Sequence, residues 1–239
     1  MSDTLVAIEG ATKRYGEILA VDNVSVSISR AEVYALVGAN GAGKSTLIRM
    51  LVGITEPDAG QLSICGEALS SRAPLTRRHL GYLPEELVLY ERLTGKEYLE
   101  LVVGLKDADP ARIPQELGFF ELLPAQDKLV GGYSLGMRKK LGLAAAMLGS
   151  PEVLVLDEPL NGLDVEMMRK LRHRIDDERS DGKALLVASH VMSFVERISD
   201  RVGIMRAGKL VAEGSPSELR ATAGLHNAQF EDVFFHFAG

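Results

Sequence analysis

The sequence predicts an α/β fold in which helices cover a mostly parallel sheet. Three observations carry this. Residues 33–37, 153–156 and 184–188 are short, wholly apolar runs, as strands buried on both faces must be. Helical segments, 165–179 amphipathic and rich in charge and 191–198 short, alternate with them. A glycine-rich loop leads from the first run into a helical stretch at 45–51, closed by Gly53. Strands and helices that alternate in this way build a parallel sheet, because each return crossing needs a helix.

The remaining elements follow in chain order. Residues 4–8 and 24–28 carry alternating apolar positions, which suits half-exposed strands. The stretch from Glu56 to Gly60 reads as a turn, and 61–65 as another short strand. Cys65 is expected there as a small buried apolar residue. From about residue 91 to 149 the chain reads as a helical insertion. Pro110, Pro114 and Pro124 punctuate it, 95–103 has helix length, and Ser134 is placed to cap a helix running to Leu148. Near the end, Arg206-Ala207-Gly208 reads as a hairpin turn between strands at 202–205 and 209–212. Phe230, Val233, Phe234, Phe235 and Phe237 then give a helix face expected to dock on its own domain or a partner. Glu231, Asp232 and His236 on its polar side are wrong for a membrane surface, which favours lysine and arginine.

Composition narrows the class. With 239 residues the chain can bury a core without staples. Its net charge of −6 weighs against binding nucleic acid non-specifically, and no nucleic-acid partner is expected. A single cysteine cannot form an internal disulfide, which agrees with a reducing compartment. The first ten residues lack the basic flank and apolar run of a secretory signal, and no apolar run reaches the length of a membrane span. A soluble chain is expected, with any membrane role supplied by a partner.

The chemistry concentrates at two places. Gly38-Ala39-Asn40-Gly41-Ala42-Gly43-Lys44-Ser45 fits G-x-x-x-x-G-K-[ST], a match expected by chance in about one per cent of chains this long. Glycines let backbone N–H groups converge on phosphate oxygens, and the helix N-terminus adds positive potential. Lys44 is then placed to reach the β- and γ-phosphates of ATP, and Ser45 to ligate Mg²⁺. Downstream, the apolar strand 153–156 delivers Asp157 and Glu158 at its C-terminal end, where α/β sheets place ligands. Asp157 is expected to hold Mg²⁺ and Glu158 to polarise an attacking water.

With these motifs in this order, the sequence resembles the nucleotide-binding domains of ABC ATPases, over nearly the whole chain. The resemblance implies a P-loop NTPase core with a mostly parallel sheet, an antiparallel β subdomain and a helical subdomain. It implies one domain over 1–239, with core at about 1–90 and 150–222, helical subdomain at about 91–149 and a tail at about 223–239. Two such domains, identical or not, would meet head to tail around two ATPs. Tyr15 stands where the family stacks an aromatic on adenine, and Gly38 to Thr46 is its phosphate loop. Leu160-Asn161-Gly162-Leu163-Asp164 resembles the loop that couples the two sites, and His190 the switch histidine at the γ-phosphate.

Two departures stand out. Tyr133-Ser134-Leu135-Gly136-Met137 replaces the family signature Leu-Ser-Gly-Gly-Gln but keeps Ser134 and Gly136, which would contact the γ-phosphate on the opposite protomer. Signatures of this kind resemble the branch that serves separately encoded ABC-2-type permeases and exports its substrates. Glu85 stands where the family usually has glutamine. It keeps an acceptor oxygen, adds charge, and is expected near Mg²⁺ and the attacking water. The function implied is an ATP-hydrolysing subunit that powers a transmembrane permease, held peripherally on the cytoplasmic face. A soluble ABC ATPase outside transport is the alternative, though the chain shows no tandem domain, coiled-coil arm or zinc insertion. Residues 86–93 are unusually apolar for a loop, so they pack inward or await the permease.

Overall fold

A computed structural model describes residues 3–69 and 79–239. Strands β1 (Thr4–Tyr15) and β2 (Ile18–Ser29) form a long antiparallel hairpin. Strand β3 (Glu32–Gly38) is buried along its whole length and feeds the phosphate loop and α1 (Lys44–Leu51). Strands β4 (Ala59–Ile64) and β5 (Glu67–Ala68) complete an antiparallel sheet ordered β2-β1-β4-β5. After β6 (Leu80–Leu83) comes the helical insertion, with α2 (Gly95–Lys106), α3 (Ile113–Phe119) and α4 (Leu135–Met147). The chain returns through β7 (Val153–Asp157), α5 (Val165–Ser180), β8 (Ala184–Ala188) and α6 (Met192–Ile198). It closes with the hairpin β9 (Arg201–Arg206) and β10 (Lys209–Gly214), then α7 (Pro216–Ala223) and α8 (Phe230–Ala238).

The second sheet runs β10-β9-β3-β8-β7-β6, parallel except for the β10 edge. Strand period decides which core each residue enters. Leu154 and Leu156 of β7 point into a core shared with Leu99, Leu117, Phe120 and Leu143 of the insertion. Val153 and Val155 point the other way, into a core shared with α1 and the antiparallel sheet. The insertion is therefore packed on the central sheet by alternate residues of β7 and of β8, whose Leu185 and Val187 enter the same core. Ser134 caps α4, its hydroxyl accepting from the N–H of Met137 at 3.2 Å. Phe230, Val233 and Phe234 of α8 are buried against α6, β9 and β10, so this face docks on its own domain, while Phe235 stays exposed.

Two expectations are corrected. Cys65 is not inside a buried strand. It sits half-buried in the β4–β5 turn with φ 52°, and its thiol donates to Glu152 Oε2 at 3.0 Å. Burial, with the carboxylate beside it, pushes that thiol up to about 12. The turn expected over 56–60 is also shorter, because β4 begins at Ala59. A further element, α7, is signalled by Ser215-Pro216-Ser217-Glu218, a capping box with proline at the first helical position.

A buried ion-pair bridge is among the contacts that tie the insertion to the core. Arg174 of α5 donates to Glu116 of α3 at 2.7 Å and to Glu178 at 2.6 Å, with its guanidinium 5.2 Å from the Phe119 ring centroid. Both carboxylates are buried, and Glu178 is also paired with Lys183. Stripping one partner from a buried ion pair typically costs about 3–5 kcal/mol. Arg174→Met is expected to lower the urea midpoint by the equivalent of about 3 kcal/mol. Adding Glu116→Leu is expected to recover part of that loss.

Candidate active site

The phosphate loop is held open by contacts that only glycine permits at two positions. A Cβ on Gly38 would come within 2.6 Å of the Met205 carbonyl oxygen. Gly43 has φ 105°, and a Cβ there would collide with the Ala20 carbonyl. The hairpins on either side brace the loop: Gly208 N–H donates to Ala42 O at 3.0 Å, and Asp22 N–H to Gly208 O at 2.8 Å. Lys44 is buried, and its ammonium donates to Gly38 O at 2.6 Å and Ala39 O at 3.3 Å. The ammonium thus waits at the loop mouth, on acceptors that a phosphate can replace.

A cavity of about 610 Å³ opens at this loop. It is lined by Asn40, Gly41, Ala42, Gly43, Lys44, Ser45 and Thr46, and by the carboxylate-bearing Glu85, Asp157 and Glu158. Sequence reasoning missed five further lining residues, Ile18, Leu19, Ala20, Ala207 and Gly208. They are hairpin residues that tertiary docking brings in, and the one signal for them was the Ala207-Gly208 turn. Gly38 and Ala39 form the loop's base rather than the cavity wall. Tyr15 lies outside the cavity at the end of β1, 46 % exposed, paired in register with Ile18, which is on the wall.

The carboxylates define the electrostatics. Parallel register sets Leu83 of β6 beside Leu156 of β7, so Glu85, Asp157 and Glu158 emerge at one end of the sheet. Burial raises the Asp157 carboxyl to about 6, helped by the Glu85 and Glu158 charges and opposed by Lys44 and Lys139. Burial also lowers Lys44, and the same three carboxylates pull it back up. Glu158 has φ 48°, a left-handed conformation that costs a non-glycine residue energy and is concentrated at functional sites. Its N–H is anchored to Ala188 O at 2.9 Å. Its Oε2 lies 2.9 Å from Nδ1 of His190, whose own side chain is 64 % exposed. His190 therefore joins the site through Glu158 rather than through the cavity wall.

Ser134 and Gly136 do not line this cavity. They lie at the start of α4, where Gly136 packs closely on the Gly162 carbonyl. Leu135 between them is 76 % exposed.

The crowding has a consequence for stability. A carboxyl with a raised folded pKa binds more protons folded than unfolded, so stability falls as pH climbs from about 4 to about 6. Asparagine at 157 removes that penalty. Asp157→Asn is expected to raise the Tm of the nucleotide-free protein at pH 7.5, with a much smaller gain at pH 4.5. An equal or lower Tm at pH 7.5 would contradict the electrostatic reading.

Comparison with known proteins places this geometry. The ABC transporter family profile matches residues 21–161. The daunorubicin resistance ATP-binding protein DrrA3 of Streptomyces coeruleorubidus is 35 % identical over 94 % of this chain and 72 % of its own length. The Nod factor export ATP-binding protein I of Ralstonia nicotianae is 37 % identical over 91 % of this chain and 69 % of its own. A solved ATP-binding subunit of an ABC transporter superposes with a TM-score of 0.94 at 31 % identity, covering 99 % of this chain and all of the other. The likeness to these relatives runs along nearly the full length, and the chain belongs to the ABC transporter family as an ATP-binding, ATP-hydrolysing subunit.

Proposed function

We propose that two copies of this domain, or this chain and a close relative, close head to tail on two ATPs, and that hydrolysis resets a separately encoded export permease. One observation carries the reading. The cavity of Lys44, Asp157 and Glu158 and the α4 start with Ser134 and Gly136, the two parts read as nucleotide-facing, do not meet within the chain. A second copy brings the missing half to each cavity. The whole chain is read as one such domain, with its core at about 1–90 and 150–222, helical subdomain at about 91–149 and tail at about 223–239.

The roles follow from placement. Gly38 to Thr46 wrap the phosphates, and Lys44 exchanges loop carbonyls for phosphate oxygens. Tyr15 stacks on adenine at the outer rim. Ser45, Asp157 and Glu85 would be the oxygen donors for Mg²⁺, and a divalent cation there would offset both the burial and the neighbouring acids that raise Asp157. Bound there, Mg²⁺ would neutralise charge on the β- and γ-phosphates. Glu158 accepts the proton of the attacking water, and His190, 2.9 Å from it, holds its orientation and faces the γ-phosphate.

Glu158→Gln keeps the cavity but removes the base. With ATP this variant is expected to accumulate as a dimer in size-exclusion chromatography, while the wild type cycles back to the lighter species. A variant that stays monomeric at high protein and ATP concentration would count against the sandwich.

The permease is read onto an apolar cleft between core and insertion, about 390 Å³ in volume. Val52, Ile54, Leu80, Tyr82, Tyr98, Val102 and Leu105 line it, with Ile54 and Leu105 mostly exposed. The loop at 86–93 does not line this cleft but borders it, Tyr90 lying 6.5 Å from Tyr98 between ring centroids. That loop is split: Leu89 is buried and Leu87 packs on the core, while Val88 and Tyr90 are exposed. No helix among the described residues is long and apolar enough to cross a membrane, so membrane association is assigned to this cleft. Export as the direction follows the relatives' names and the Tyr-Ser-x-Gly-Met signature. Ile54→Glu with Leu105→Glu is expected to abolish co-purification of a membrane protein with the tagged chain. Retained co-purification at wild-type yield would move the contact elsewhere.

A further inference from the structure

Lys139 of α4 is 5 % exposed, and its Nζ has no hydrogen-bond partner among the described residues. An ammonium is among the most expensive groups to bury unpaired, so a counter-charge must hold it. Helix geometry shows where that charge is. Residues 136, 139, 142 and 146 share one face of α4, and the close approaches along this face fix its register on the sheet. The Ala146 carbonyl packs on Gly81, Gly142 packs on the side chains of Leu83 and Leu87, and Gly136 packs on Gly162 O. The helix therefore descends past β6 as β6 runs toward the active site. Lys139, one turn beyond Gly142, falls between the level of Leu83 and that of Gly162. That is the level at which Glu85, Asp157 and Glu158 leave the sheet, given the pairing of Leu83 with Leu156.

The electrostatics agree with this placement. Burial lowers Lys139, and the charges of Asp157, Glu158 and Glu85 draw it back up; Lys139 in turn lowers Asp157. Lys44 answers to the same three carboxylates. Lys44 lines the nucleotide cavity and Lys139 does not. The carboxylates thus lie between a cation in front, which meets the nucleotide, and one behind, which does not.

We propose that Lys139 is a positioning residue: a fixed positive charge behind Glu85, Asp157 and Glu158 that holds them together and sets how tightly the site binds its divalent cation. This rests on the reading of those carboxylates as the metal-binding and catalytic ones. It also gives α4 two ends of one task, since the helix that offers Ser134 and Gly136 to a second copy carries this charge into its own copy's metal site.

The test is a Mn²⁺ titration followed by electron paramagnetic resonance, in the presence of ADP, on the full chain and the variants Lys139→Met, Lys139→Gln, Lys139→Arg and Asp157→Asn. Removing a positive charge beside the carboxylates deepens their negative potential. Lys139→Met and Lys139→Gln are therefore expected to bind Mn²⁺ about three- to ten-fold more tightly than wild type. In metal-free buffer the same variants are expected to bind a fluorescent ATP analogue more weakly, because nothing then offsets the added repulsion. Lys139→Arg, which keeps the charge, is expected to match wild type in both. Loosened packing alone does not tighten metal binding, so tightening separates this role from a structural one. Unchanged or weaker Mn²⁺ binding in whichever neutral variant unfolds cooperatively overturns the proposal; if neither does, wild-type-like Mn²⁺ binding by Lys139→Arg supports it and altered binding overturns it. Asp157→Asn guards the underlying reading: if it binds Mn²⁺ as well as wild type, the carboxylates are not the metal site, whatever Lys139 does.

Discussion

Asp157 is buried at the C-terminal end of β7 beside two further acids, Glu158 and the exposed Glu85, and the cost of ionising it there is the constraint around which the structure is organised. Burial raises the cost of ionising Asp157 and the charges of Glu85 and Glu158 add to it, which is why its carboxyl stands near 6. A protein selected for stability alone would not assemble them. The surrounding features read as responses. Two buried lysines from different elements supply positive charge, His190 binds Glu158, and parallel register leaves no freedom to separate the strands that carry the acids.

The same constraint explains the backbone at Glu158. A left-handed residue at the end of a buried strand turns the chain sharply, so that successive carboxylates point to different tasks. Asp157 stays beside the phosphate loop, and Glu158 reaches His190. The strain persists because its N–H is fixed to β8 and the strand behind it is wholly buried. Stability built into the core is here spent on holding a local conformation that the isolated segment would abandon.

How much of this was legible in the sequence depends on the range over which each feature is determined. The phosphate loop, the strand-end acids and the Ser134 cap are local: spacing and residue type fix them, and they fall where expected. Features set by docking between distant segments were not legible. Cys65 looks like the end of an apolar strand, yet the β4–β5 turn claims it, because Gly66 follows and the hairpin must reverse there. Ile18, Leu19 and Ala20 carry no phosphate-loop signature, and they reach the cavity because the β1–β2 hairpin closes over Gly43. The 86–93 loop offered packing or partner binding as alternatives, and in the fold Leu87 and Leu89 pack inward while Val88 and Tyr90 are exposed. Lys139 reads as one more cation in Arg138-Lys139-Lys140, and only the register of α4 on β6 separates it from its partly exposed, ion-paired neighbours.

The arrangement of α4 links these scales. Its N-terminus is exposed and built of a serine cap and a glycine that permits close approach to the Gly162 loop. Its middle is packed on β6 through glycine and alanine, which brings backbone against backbone and leaves little room for the helix to slide. Its far end is closed by Lys106 of α2, whose ammonium donates to the carbonyls of Ala145, Ala146 and Leu148 and so ties α4 to the wall of the apolar cleft. One rigid helix therefore touches three places: the surface offered to a second copy, the rear of the carboxylate cluster, and the cleft read as the permease seat. On the proposed reading, a displacement of this helix at one of these places would be carried to the other two, because its contacts are set by small side chains rather than flexible ones.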